Sequence, residues 1–359
     1  MKLRIVALLA TLLLAQPAAA RDPASPWTPR PDGQPRPGVT LQLEPRLESV
    51  IQGRRPSAAP QRVSAQSLAA QGRGEIIGAG SYLYRVQGHE TLLMLARTYN
   101  LGYNEITLAN PGLDPWVPSK KSVVHLPLLF VAPQAIVADK RPGIVINLPE
   151  MRLFHRRKDK RLQTYPVGIG REGYDTPITQ GKVRRKQSDP SWYPPASILA
   201  EDRGLPKRVP PGPDNPLGSH AIYLTISGYL IHGTNKPFGI GRRVSHGCIR
   251  MYPEDIPRLY ERAQIGERVR IVDEPVKAGW SGSGELYLEA HPPLVDGAGS
   301  DESKGGLLNL ANQAISKALD RRKDQEVAIN WRLVELMAQR PDGVPRKVGD
   351  PIAQAAAAK

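Results

Sequence analysis

The segment that decides the fold spans residues 229–252 and reads YLIHGTNKPFGIGRRVSHGCIRMY. It holds Cys248, the only cysteine of the 359-residue chain, and two of the seven histidines, His232 and His246. A β-type run, GYLIHG, leads into a glycine-rich stretch that ends at the cysteine. A thiol is a weak nucleophile until it is ionised, and a neighbouring imidazole is its usual activator. The segment therefore predicts a catalytic cysteine–histidine pair.

Spacing alone leaves two histidines in competition for the role of base. His246 stands two residues before Cys248, so on an extended segment both side chains would point the same way. His232 stands 16 residues before Cys248 and would come close only if two strands pair around the glycine-rich loop. Gly247 has no Cβ, which lets the backbone turn sharply and leaves the amides of Gly247 and Cys248 free to face a developing oxyanion.

Around this segment, residues 141–273 alternate short β-type runs with glycine and proline: GIVINL, MRLFHRR, LQTYPVGIG, AIYLTI and RVRIV. Frequent turn signals between short strands predict a mainly β domain, a largely antiparallel sandwich or barrel. One helix is expected over residues 254–264, after Pro253.

The N-terminal residues predict export. Residues 1–20 have a basic start, an apolar run and small residues at Ala18 and Ala20, as in a cleavable signal peptide. That run is too short to span a membrane and no later segment is apolar enough, so no transmembrane anchor is expected. Residues 21–80 are rich in proline and predict a disordered linker. In an oxidising compartment, a solitary thiol is either a buried small hydrophobe or a reactive group.

Residues 81–130 predict a small unit of strand, helix, helix and strand, with Thr91 as the N-cap of the first helix. The residues YRV, ETL, LANP and VVHLP resemble the LysM module, whose members bind glycans containing N-acetylglucosamine. Glycan binding is the expectation from that resemblance, and a spacer that no longer binds sugar is the alternative. Residues 274–359 predict a linker and two amphipathic helices, running from Leu307 to Leu319 and from Val327 to Ala338, of unknown role.

Composition narrows the choice of partners. The chain has 49 Lys and Arg against 34 Asp and Glu, a formal net charge of +15, which excludes an acidic disordered tail protein. This charge is suited to steering the chain toward an anionic envelope surface, and arginine-rich coding bias is the alternative explanation. Nucleic acid is excluded as a partner because the chain is expected to be exported and has no recognition fold.

Five segments, in order, resemble the L,D-transpeptidase (YkuD-like) catalytic domain in the form found in the Gram-negative periplasm. They are YPVGIGREGYDTPIT (165–179), PPGPDNPLGSHAIYL (210–224), IHGT (231–234), FGIG (238–241) and SHGCIR (245–250). The sequence departs from that pattern at residues 178–181, where PTG-type spacing is usual, and at Gly168, where serine is common.

The resemblance implies a role for each matching position. Cys248 matches the nucleophile and His232 the base, and the backbone carbonyl of Gly233 matches the group that orients the imidazole. The positions that shape the nucleophile loop are Ser245, His246 and Gly247, and Arg250 holds either that loop or a substrate carboxylate. The resemblance implies no metal and no other cofactor.

The chemistry implied is acyl transfer in the periplasm. Cys248 attacks the third residue of a peptidoglycan stem tetrapeptide, expels the terminal D-alanine and forms a thioester. An amine of another stem peptide then gives a 3-3 cross-link, or a lysine of an outer-membrane lipoprotein gives a wall anchor. The same site with water as acceptor would make an L,D-carboxypeptidase or an amidase that detaches lipoprotein. A wall-binding protein without catalysis is the third alternative.

Overall fold

The computed structural model describes residues 71–72, 74–86, 89–120, 122–294 and 301–352. The predicted signal peptide and most of the predicted linker lie outside these ranges. Strands β1 (Gln71–Gly72) and β2 (Ile76–Arg85) begin inside the expected linker. The expected linker boundary at residue 80 is therefore wrong, because Ile77 is buried and belongs to a hydrophobic core.

The next part of the chain has the predicted order of strand, helix, helix and strand. Strand β2 is followed by α1 (Leu92–Thr98), α2 (Tyr103–Leu108) and β3 (Val123–Val131). Strands β2 and β3 pair antiparallel over their whole length. Thr91 caps α1 as predicted, its Oγ1 accepting a hydrogen bond from the Met94 amide at 3.1 Å. The apolar faces of the helices, including Leu92, Leu95 and Ile106, are buried against these strands.

The region containing the cysteine is mainly β, as predicted. Its elements in chain order are α3 (Gln134–Ala138), β4 (Gly143–Asn147), β5 (Arg152–Arg156), β6 (Leu162–Gly170), β7 (Thr179–Ser188), α4 (Ala196–Glu201), β8 (His220–Leu224), β9 (Leu230–His232), β10 (Arg243–Ser245), β11 (Ile249–Met251), α5 (Ile256–Arg262) and β12 (Arg268–Val272). The expected helix over residues 254–264 is α5, which is shorter by two residues at each end.

These strands close into a barrel. The order is β6-β11-β9-β8-β7-β12-β4-β5, and β5 pairs back with β6. Most pairs are antiparallel, but β12 with β4, β11 with β9 and β10 with β6 are parallel. Apolar side chains such as Ile146, Val167, Ile222 and Ile249 fill the core. Burial of this kind contributes about 25 cal/mol to the stability of the fold per Å² of apolar surface removed from water. The apolar side chains of each strand therefore favour the arrangement that turns them into the core.

The C-terminal part is a third folded unit rather than the expected linker with helices. Its elements are β13 (Val276–Trp280), β14 (Leu286–Ala290), α6 (Asp301–Asp320), β15 (Val327–Ile329), α7 (Trp331–Gln339) and β16 (Arg346–Pro351). The strands form a sheet in the order β13-β14-β16-β15. Val327, expected on the second helix, lies on a strand, and α7 begins after the Asn330 cap.

A buried ionic cluster joins the three units. The Lys277 ammonium on β13 lies 2.7 Å from a Glu150 carboxylate oxygen and 2.8 Å from one of Glu289. It also donates to the carbonyl of Val131 at 2.8 Å, and all three charged side chains are almost fully buried. Desolvated charges are stable only when they are paired, so this lysine links the barrel, β3 and the C-terminal sheet.

The unit built from β2, α1, α2 and β3 packs directly on the barrel. Glu105 on α2 makes a buried bidentate ion pair with Arg152 on β5. The amides of Tyr103 and Asn104 donate to the carbonyls of Ile240 and Gly241, at 3.0 and 3.2 Å. These two hydrogen bonds attach the start of α2 to the glycine-rich loop that leads to Cys248. Among the described residues, no helix has the length and apolar character needed to cross a bilayer.

Candidate active site

Cys248 lies in the tight connection between β10 and β11. Gly247 has φ of +94°, and a Cβ there would stand 2.8 Å from the Tyr229 ring. Ser245 Oγ donates to the Cys248 carbonyl at 2.6 Å, and Thr176 Oγ1 donates to the Gly247 carbonyl at 2.8 Å. These bonds fix the turn from two sides, and glycine is the residue whose backbone suits it.

Strand pairing brings His232 toward the cysteine. Strands β9 and β11 are parallel neighbours, with His232 directly opposite Arg250. Cys248 precedes Arg250 by two residues, so the three side chains lie on one face of the sheet. His232 was expected to approach Cys248 only if two strands pair around the glycine-rich loop, and β9 and β11 do pair in this way.

The His232 imidazole is held neutral. The side chain is only 4% exposed, and burial together with the positive charge of Arg250 lowers its pKa from 6.5 to about 3. The backbone carbonyls of Gly233 and Leu217 act in the opposite direction, more weakly. Nδ1 is buried without a hydrogen bond of normal geometry, and the Gly233 carbonyl, which is expected to orient the ring, lies close enough to raise its pKa.

The Cys248 thiol is neutral as well. The residue is partly buried, and its Sγ lies 3.7 Å from the Gly228 carbonyl. Burial raises the thiol pKa, while a backbone hydrogen bond from Leu230 and the charge of Arg250 oppose this rise. Desolvation disfavours the thiolate, so the thiol stays protonated at neutral pH. Both the Cys248 thiol and the His232 imidazole are therefore uncharged at rest.

His246 has different partners from His232. Its Nε2 lies 3.1 Å from Glu201 Oε2 and 3.1 Å from Arg171 Nη2, and its ring meets Tyr174 edge-on at 4.4 Å. Glu201 also accepts from the Tyr174 hydroxyl and from Arg171. This cluster ties α4 to the nucleophile loop. Arg171 and Tyr174 stand in a segment that the sequence singled out, whereas nothing local marks Glu201.

Arg250 supplies the positive charge of the site. It is partly buried on β11, and its Nε is buried without a hydrogen-bond partner. Its charge stabilises the Cys248 thiolate and disfavours protonation of His232. A guanidinium in this position is suited to a substrate carboxylate.

Away from Cys248, three side chains of the types that bind metal ions lie close to one another. Within the described ranges, oxygen or nitrogen atoms of Glu150, Glu289 and His291 lie within 4.8 Å of one another. The Lys277 ammonium contacts both carboxylates, and His291 Nε2 lies 2.6 Å from Glu289. The Lys277 ammonium already occupies the position between the two carboxylates, which fits a structural role better than a cation site.

Comparison with known proteins adds independent findings. A family model for the L,D-transpeptidase catalytic domain matches residues 141–271. The probable L,D-transpeptidase YbiS of Escherichia coli K12 is 42% identical over 226 residues, which are 61% of this chain and 72% of that protein. The probable L,D-transpeptidase ErfK/SrfK of the same organism is 40% identical over 278 residues, 75% of this chain and 86% of that protein.

Solved structures give a more distant likeness. An L,D-transpeptidase from Mycobacterium smegmatis is 20% identical, with a TM-score of 0.31 over 36% of this chain and 58% of that chain. L,D-transpeptidase 3 from Mycobacterium tuberculosis is 19% identical, with a TM-score of 0.30 over 37% and 62%.

Proposed function

Because the chain belongs to the L,D-transpeptidase family, we propose that it transfers the acyl group of a peptidoglycan stem tetrapeptide through a thioester on Cys248. The observation that supports this proposal is the parallel pairing of β9 with β11, in which His232 lies opposite Arg250, two residues after Cys248. The donor is a tetrapeptide whose third residue, normally meso-diaminopimelate, supplies the attacked carbonyl.

In the first step the thiol proton passes to His232 as Sγ attacks the carbonyl carbon. Both groups are neutral beforehand, so proton transfer accompanies attack rather than preceding it. The amides of Gly247 and Cys248 would hold the developing oxyanion, in a turn whose carbonyls are already bonded to Ser245 and Thr176. His232 then returns the proton to the departing D-alanine amine, which leaves the acyl group on sulfur.

In the second step an amine attacks the thioester. The side-chain amine of another stem peptide would form a 3-3 cross-link, and a lysine of an outer-membrane lipoprotein would anchor that protein to the wall. His232 removes a proton from the attacking amine, the carbon–sulfur bond breaks, and His232 passes that proton to the departing Cys248 sulfur, which restores the neutral thiol. We place this chemistry in the periplasm, in keeping with the basic and apolar pattern of residues 1–20.

We also propose that the unit of residues 81–130 is a LysM-like module that binds glycan. Its strand, helix, helix, strand order supports this, and Trp116 and Val117 are 55% and 75% exposed in the loop between α2 and β3. Aromatic side chains exposed in this way suit contact with a sugar ring.

The test is to incubate purified protein with a tetrapeptide donor, with and without an amine acceptor. We expect release of D-alanine and a coupled product from the parent protein, and neither from Cys248→Ser, which keeps the side-chain size but removes the thiol. Release without coupling would favour water as acceptor and an L,D-carboxypeptidase. Full activity in Cys248→Ser would contradict the proposal.

The assignment of the base has its own matched pair of variants. His232→Ala should lose acylation, whereas His246→Ala, whose ring contacts Glu201 and Arg171, should retain most of it. If only His246→Ala lost acylation while both variants stayed folded, the assignment of His232 as base would be wrong.

A further inference from the structure

A cationic cavity of about 250 Å³ opens at one end of the barrel, where β4 and β12 begin and β5 ends. One carboxylate, that of Glu267, lines it. Five cationic side chains form the rest of its charged wall: Arg141, Arg157, Lys158, Arg262 and Arg268. Arginine and lysine at this density around one concavity are typical of an anion site.

The charges around the cavity do not cancel. Asp139 pairs with two of the lining arginines, and Asp159 pairs with Arg157 at 3.0 Å. Contact with Arg141 keeps the pKa of Asp139 down at about 2, so this carboxylate is ionised. Both carboxylates are also shared with a further arginine, Asp139 with Arg270 and Asp159 with Arg161, so together with Glu267 they leave the cavity wall with an excess of positive charge. Among the described residues, Lys158 and Arg262 have no carboxylate within ion-pair distance.

Two polar side chains of the cavity wall, Arg262 and His155, are held in place by neighbouring side chains. Arg262 Nη1 lies 3.1 Å from Gln163 Oε1 and 3.4 Å from the Tyr165 hydroxyl, contacts that fix the guanidinium without neutralising it. His155 is 1% exposed, its Nε2 lies 3.0 Å from Glu267, and its Nδ1 is buried without a partner. Buried polar atoms normally have a hydrogen-bond partner, so this wall is suited to receiving a polar group.

We propose that this cavity binds a phosphate-bearing ligand. A phosphate monoester carries about two negative charges near neutral pH, so it offsets more of this excess positive charge than a single carboxylate does. Guanidinium groups bind phosphate oxygens in bidentate fashion. The ligand is either a small soluble phosphate compound or the phosphate headgroup of a lipid, which share this chemistry.

The site lies away from Cys248. Arg156, next to the lining residue Arg157, pairs with Leu162 at the start of β6, and Arg250 pairs with Gly168 near its end. Six residues of extended strand span about 20 Å. A ligand in the cavity would therefore bind or locate the protein without taking part in acyl transfer, and the proposal stands independently of the reaction on the cysteine.

The first experiment titrates the full chain with inorganic phosphate, and separately with acetate, by isothermal calorimetry. The test variant is Arg157→Gln/Lys158→Gln/Arg262→Gln. The control, Lys323→Gln/Arg332→Gln/Arg340→Gln, removes the same charge from exposed positions of the C-terminal unit. We expect the test variant to bind phosphate about tenfold more weakly or worse, and the control to stay within about twofold of the parent.

The second experiment separates the two sources of phosphate. Sedimentation with vesicles of phosphatidylcholine containing phosphatidic acid, lost in the test variant and kept in the control, would identify a lipid headgroup. Phosphate binding without such sedimentation would identify a soluble ligand. Arg157→Gln/Lys158→Gln, which leaves the Arg262 contacts in place, repeats the test if the triple variant does not fold.

Three results would overturn the proposal: no binding of either probe by the parent, acetate bound as tightly as phosphate, or equal losses in the test and control variants. Release of D-alanine from a soluble tetrapeptide is measured alongside. It should be unchanged in the test variant, so that failure of this site and failure of the cysteine chemistry give different results.

Discussion

The neutral resting state of His232 predicts an unusual pH dependence. An imidazole with an ordinary pKa of 6.5 is only about 3% unprotonated at pH 5, so a base of that kind would lose about 30-fold in rate between pH 8 and pH 5. Burial and Arg250 lower the pKa of His232 to about 3, which leaves the ring about 99% unprotonated at pH 5. The protonated form of the base is therefore nearly absent across this range.

We expect kcat/KM for D-alanine release to change by no more than about threefold when the pH is lowered from 8 to 5. The measurement is a pH profile with a tetrapeptide donor, with circular dichroism at each pH to confirm folding. His246→Ala is the matched control and should give the same profile, because its ring contacts Glu201 rather than the pair. A tenfold loss per pH unit below pH 6.5 in a folded enzyme, with the donor ionisation accounted for, would refute the buried neutral base.

Three further predictions concern the framework of the site. Lys277→Met leaves two buried glutamates without their cation, so it should lower the free energy of unfolding, measured in urea, by about 3–5 kcal/mol. The control Lys347→Met removes an exposed ion pair and should cost at most about 1 kcal/mol. Equal losses in the two variants would contradict the structural role of the buried cluster. Burial raises the pKa of Asp255 from 3.8 to about 7, so the folded state holds its proton; this adds to the stability measured by urea unfolding a falling slope on the order of 3 kcal/mol from pH 5 to pH 8, opposite in sign to the slope that His232 adds. Asp255→Asn should flatten that slope, and an unchanged slope would disprove its origin. Thr176→Val removes the bond to the Gly247 carbonyl and should lower kcat/KM for D-alanine release by about tenfold with the fold intact; wild-type activity would show that the turn is held by other contacts.

The barrel and the nucleophile loop were accessible from sequence because their signals are local. Short β-type runs between glycine and proline predicted the strands, and Thr91 predicted the start of α1. Ser245 and Gly247 lie within three residues of Cys248, so the motif itself indicated how the loop is built. The choice between His232 and His246 depended on strand pairing, which spacing does not determine, and only the resemblance favoured one of them.

The parts that were missed depend on tertiary contacts. Strand β13 is buried along its whole length, so it shows none of the polar alternation by which a half-exposed strand is recognised. Thr176 reaches the Gly247 carbonyl from 71 residues away, and Glu201 reaches His246 from 45 residues away. The neutral thiol could not be foreseen either, because the desolvation that raises its pKa comes from the folded barrel.

The most direct test of the central claim is the intact mass of the protein after rapid mixing with a tetrapeptide donor in the absence of an amine, followed by peptide mapping. We predict a mass increase equal to the donor minus D-alanine, carried by the peptide containing Cys248 and removed by hydroxylamine. A donor-derived adduct on any other residue, or D-alanine release at the wild-type rate from Cys248→Ser, would contradict the account.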